Sequence, residues 1–93
     1  MWTKTNALAF CRDAEQFAAP ANCHVALTGG CLYRHGPRRD LDIVFYRHGG
    51  ICEIDKAALF AGLHNSGVRR ISGSGWRYVG YHRLFGQVDF LFP

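Results

Sequence analysis

The segment Asp40–Arg47, D-L-D-I-V-F-Y-R, constrains the fold more than any other part of the chain. It is rich in β-branched and aromatic residues and is followed by Gly49-Gly50, so it reads as a strand. On a strand, alternate side chains share a face. Leu41 and Ile43 then enter a core, while Asp40 and Asp42 emerge together on the other side, about 6–7 Å apart at Cα. Nothing in strand propensity favours aspartate twice in an otherwise apolar strand. Two adjacent carboxylates repel and raise each other's pKa unless a cation neutralises them. Hard oxygen donors imply Mg²⁺ or Mn²⁺. Asp89, in V-D-F-L-F, repeats the anomaly. If its strand lies beside Asp40–Arg47, the three aspartates form a set able to hold two ions about 3.5–4 Å apart, as in-line phosphoryl displacement requires. The competing reading places them on the solvent face of an amphipathic sheet.

The rest of the chain supplies a small α+β domain around that strand. Apolar residues from Leu8 to Ala18 have helical spacing, predicting a helix over 6–19 capped by Thr5 or Asn6 and stopped by Pro20. Cys23–Thr28 reads as a buried strand ended by Gly29-Gly30, and 31–35 as one or two helical turns. Asp55 caps a second helix, Lys56–Asn65, ended by Gly67. Strands follow at 68–72, 76–82 and 87–92, the last two joined by Arg83-Leu84-Phe85-Gly86 as a hairpin. The order α-β-α-β-α-β-β-β predicts a two-layer α+β (α/β) domain: a mixed sheet of about four to five strands, helices packed on one face. Leu8, Phe10, Phe17, Leu59, Phe60 and Leu63 are core candidates. With 93 residues, one domain spanning 1–93 is expected.

Composition limits the function classes. Thirteen aromatics in a chain that is 48% hydrophobic exclude a disordered protein. No apolar run approaches the ~18–20 residues that span a bilayer, and no secretory h-region is seen, so a cytoplasmic protein is expected. The four cysteines, none spaced C-x-x-C, read as reduced core thiols; a zinc site from Cys23-His24 with Cys11 or Cys52 is disfavoured, because adjacent strand residues face opposite ways. Net charge is +4, with nine arginines among eleven cations, which suits a phosphate-bearing partner. Arg34, Arg38 and Arg39 lie between the glycines and the aspartates and either contact phosphate or form a solvated loop. Arg69, Arg70, Arg77 and Arg83, interleaved with Trp76, Tyr78 and Tyr81, read as an ordinary sheet face or a single-stranded nucleic-acid surface.

Leu27-Thr28-Gly29-Gly30-Cys31, ten residues before Asp40-Leu41-Asp42-Ile43, with Asp89 in a later apolar strand, resembles the nucleotidyltransferase superfamily. Its pattern is G-[GS], h-D-h-[DE]-h and a third carboxylate on a neighbouring strand, shared by polymerase-β-like enzymes and minimal antitoxin-type members. The resemblance covers residues 25–92. It implies a minimal nucleotidyltransferase core that moves a nucleoside monophosphate from an NTP to a hydroxyl of an RNA, protein or small-molecule acceptor. It assigns Asp40, Asp42 and Asp89 to catalysis and to Mg²⁺ or Mn²⁺. Gly29, Gly30 and Cys31, with Arg34, Arg38 and Arg39 beside them, would hold the triphosphate. Cys31 stands where the family often has serine. A homo-oligomer or a protein partner would complete the pocket. The alternative is a catalytically inactive, nucleotidyltransferase-like binding module of antitoxin or inhibitor type.

Overall fold

The computed structural model describes residues 1–30, 34, 36–47, 49 and 53–93. The helical turns expected over 31–35 fall, apart from Arg34, outside the described residues, as does Cys31. Among the described residues there are two α-helices, α1 (Lys4–Ala18) and α2 (Lys56–Asn65), and five strands: β1 (Cys23–Thr28), β2 (Asp40–Arg47), β3 (Val68–Ser74), β4 (Arg77–His82) and β5 (Gly86–Leu91). The strands form one mixed sheet in the order β1-β2-β5-β4-β3, with β2 and β5 parallel and every other pair antiparallel.

Alternation along β2 sorts its side chains as the sequence requires. Leu41, Ile43 and Phe45 are fully buried, with Val88 and Phe90 of β5 beside them. Against this face pack Ala7, Phe10, Ala14 and Ala18 of α1 and Leu59 and Leu63 of α2. Gly62 lets the helices close: a Cβ there would lie 2.5 Å from Phe17 Cγ. α1 begins two residues earlier than expected, capped by Thr3, whose hydroxyl accepts from the Asn6 N–H. The cap thus falls on Thr3 rather than on Thr5 or Asn6, directly after the buried Trp2. Leu8 is exposed rather than buried, lying off the Ala7–Phe10–Ala14 stripe. α2 matches its expected bounds, with Asp55 accepting from the Ala58 N–H.

β1 is an edge strand, so only Cys23 is fully buried and the expected buried strand is half-covered. Glu15 of α1 clips its outer side, accepting from the Val25 N–H (3.1 Å) and lying 2.9 Å from His24 Nδ1. That contact occupies an edge that would otherwise be free to pair with another chain. Cys23 and His24 face opposite ways, as strand alternation dictates. No helix among the described residues is long and apolar enough to cross a membrane.

Candidate functional site

Three aspartates lie on the sheet face away from the helices. The parallel pairing of β2 with β5 sets Asp42 directly opposite Asp89, and Asp40 opposite Gln87. A residue from the middle of the chain thus meets one near its end, side by side. Burial pushes the Asp42 carboxyl above the usual carboxylate range; the neighbouring charges of Asp89 and Asp40 and a hydrogen bond with Asp89 push it further, and Arg77 partly offsets them. Asp89 is only 8% exposed. Its Oδ1 accepts from Gln87 Nε2 at 2.9 Å, and its Oδ2 lies 3.4 Å from Arg77 Nη2. The Arg77 side chain is half exposed (52%), so it reaches in from solvent and does not seal the carboxylate.

Two acidic side chains under mutual repulsion, one nearly buried, form a donor set that fits a hard divalent cation, with water or phosphate oxygens completing the shell. Asp40 stands on the same face one step along the strand. Among the described residues no three His, Cys, Asp or Glu side chains converge as closely as a metal cluster would need.

The glycine turn abuts the pair. Thr28 is the register partner of Asp42, and Gly29 turns with φ +69° so that a Cβ there would overlap the Asp42 carboxylate. Gly30 makes room for Arg38, whose Nε lies 3.2 Å from where a Gly30 Cβ would sit. That Nε is buried and has no hydrogen-bond acceptor among the described residues. An orphaned buried donor costs about 1–3 kcal/mol, which an anion bound at the turn would recover. Arg34 donates its backbone N–H to the Gly30 carbonyl, and the side chains of Arg34 and Arg39 are exposed. Asp42, Asp89, Gly29, Gly30 and Arg38 are thus brought together; Cys31 is outside the described residues.

Of the aromatic residues interleaved with arginines, Tyr78 turns to the helix side, where its ring lies 5.0 Å from Phe60. Tyr81 and Trp76 stay exposed. Sequence reasoning missed Gln87, although its place two residues before Asp89 put it on the same face. It also missed Trp2, for which no local signal exists.

No family model matches the chain, and no curated protein matches it in sequence. Two solved structures do match in shape. One is polymerase β of Leishmania infantum in a ternary P/T complex (TM-score 0.74, 14% identity), over 98% of this chain and 42% of that one. The other is a cytoplasmic RNA terminal U-transferase (TM-score 0.66, 11% identity), over 96% of this chain and 28% of that one. The chain spans less than half the length of either. At these identities the likeness establishes architecture alone: the two helices and five-stranded mixed sheet of this chain recur in both structures.

Proposed function

We propose that this chain is a nucleotidyltransferase domain that moves a nucleoside monophosphate from an NTP to an acceptor hydroxyl, using Mg²⁺ or Mn²⁺. The observation that carries the reading is the register pairing of Asp42 with Asp89 beside the Gly29-Gly30 turn. Asp42 and Asp89 would hold the ion, and Asp40, on the same face, would add negative charge beside it. A bound divalent ion would neutralise charge building on the transferred phosphoryl group. The chain's own part is positioning: the glycine turn admits the phosphates, Arg38 faces them, and Gln87 fixes the rotation of the Asp89 carboxylate. Asp89 would also accept the acceptor's hydroxyl proton. Further chain, a second copy or a partner protein would complete the base and acceptor pocket, since both structural neighbours are more than twice as long.

Incubation with labelled NTPs and Mg²⁺ or Mn²⁺, with and without RNA, tests the reading. Transfer of label is expected, and Asp42→Asn and Asp89→Asn should each abolish it. Transfer unchanged by both substitutions would remove the assignment. One feature favours a second reading, a non-catalytic binding module: both Asp89 oxygens already have donors, Gln87 and Arg77. That reading predicts no Mg²⁺-dependent ATP binding by calorimetry.

A further inference from the structure

We propose that Trp2 is a positioning residue for phosphate binding: it fastens Arg38 over the glycine turn and fixes that turn relative to the strand carrying Asp89. The proposal rests on the nucleotide-binding reading above and adds the residue that makes the phosphate side rigid.

Trp2 is fully buried although it is the second residue of the chain. Its backbone N–H donates to the Arg38 carbonyl (2.6 Å) and its carbonyl accepts from the Arg38 N–H (2.8 Å), an isolated antiparallel bridge. Its indole N–H donates to the Gln87 carbonyl at 2.9 Å. The ring packs between Phe10 of α1, His82 of β4 and Phe85 of the β4–β5 turn, at centroid distances of 5.4, 5.4 and 5.1 Å. One residue, through its backbone on one side and its indole on the other, therefore ties a segment of the β1–β2 connection to the core and to β5.

The segment it holds needs holding. Gly36, Pro37 and Arg39 around Arg38 are exposed, so little else packs that stretch. Arg38 nonetheless lies across Gly30 with its Nε buried and unaccepted among the described residues. An arginine whose backbone is held at both N–H and C=O, with a side-chain donor to spare beside a glycine turn, is preorganised for an anion. Gln87 joins the two halves: its carbonyl is bound by Trp2 and its side chain by Asp89. The phosphate side and the carboxylate side are thus positioned from one residue.

The test uses inorganic tripolyphosphate with Mg²⁺ as probe, read by calorimetry on the full chain. Arg38→Ala is expected to weaken binding about tenfold or more, the loss of a charge-assisted contact. Trp2→Phe keeps the backbone bridge to Arg38 but cuts its tie to the Gln87 carbonyl; it is expected to weaken binding several-fold by loosening that bridge against β5, and to add nothing in the Arg38→Ala background. Independent, additive losses would overturn the proposal, because Trp2 would then not act through Arg38. A Trp76→Phe protein provides a readout that does not depend on how Trp2→Phe folds. Trp76 is 65% exposed, and its removal leaves Trp2 as the single indole. Tripolyphosphate should shift its emission, and Arg38→Ala should abolish the shift; a silent Trp2 with bound probe overturns the proposal. If the wild-type chain binds neither tripolyphosphate nor Mg²⁺-ATP, the nucleotide-binding reading itself falls and takes this one with it. Binding by wild type with no role for Trp2 removes this proposal alone.

Discussion

Replacing Gly29 by alanine probes how tightly the glycine turn and Asp42 are fitted together. Two costs arise. The turn holds φ at +69°, where an L-residue is strained by about 1–2 kcal/mol. The added Cβ would also sit 2.9 Å from Asp42 Cβ and 3.0 Å from its Cγ. Side-chain rotation moves the carboxylate but not Asp42 Cβ, which the β2 backbone fixes. The overlap therefore has to be relieved by moving β1 away from β2, a cost typical of overpacking, about 1–3 kcal/mol. Together these predict a loss of about 2–5 kcal/mol, or a Tm lower by roughly 10–30 °C in a domain of this size. The assay is urea and thermal unfolding of Gly29→Ala in wild-type and Asp42→Gly backgrounds. Removing the Asp42 side chain should leave only the dihedral cost, so the two substitutions should show a coupling of about 1–3 kcal/mol. Equal losses in both backgrounds would refute the idea that Gly29 is glycine because of Asp42.

Three further outcomes follow from the packing. Gly62→Ala should destabilise by about 1–2 kcal/mol in urea titrations despite a helix-propensity gain of about 1 kcal/mol, because its Cβ would lie 2.7 Å from Phe17 Cβ. Burial, and secondarily the charge of Glu15, push the Cys23 thiol up to about 11 from 9.0. The unfolded thiol ionises first, so stability is full below pH 9 and falls by about 2–3 kcal/mol as pH rises to 11, a loss that Cys23→Ala should not show. His82 is held below its ordinary pKa of 6.5, chiefly by burial, with the Arg83 charge adding and a Ser66 backbone hydrogen bond opposing. Its stabilising contribution is therefore present above pH 6.5 and lost as pH falls through the lowered value; acid unfolding of His82→Phe should begin at lower pH than that of wild type.

Local signals in this sequence were strong where a single segment decides the structure. β1, β2 and α2 have the bounds that alternation, glycine pairs and the Asp55 cap predict. β3 and β5 are displaced by a residue or two at their ends, where hairpin geometry rather than side-chain pattern sets the boundary. Long-range facts were legible only when they were chemically anomalous. Asp89 announced itself because an aspartate in V-D-F-L-F has to be explained. Trp2 did not, since a tryptophan near a chain end carries no signal that it will bond to Gln87. The arginines could not be ranked either: Arg77 reaches Asp89 through the β4–β5 ladder, and Arg38 reaches Gly30 through a bridge to Trp2, both set by tertiary pairing.

The carboxylate pair also shows why such a site can persist in a domain with so small a core. The ladder that sets Asp42 opposite Asp89 also sets Leu41 opposite Val88 and Ile43 opposite Phe90, all four of them fully buried. Repulsion between the aspartates would be relieved by sliding β2 along β5. A slip of one residue, however, would turn Ile43 toward solvent and Asp42 into the apolar layer. Each buried aliphatic or aromatic side chain is worth about 1.5–3 kcal/mol, so four of them outweigh the electrostatic gain from separating one pair of charges that Arg77 already offsets in part. The hydrophobic register therefore holds the acidic pair together, and Arg77, 3.4 Å from Asp89, offsets part of its charge.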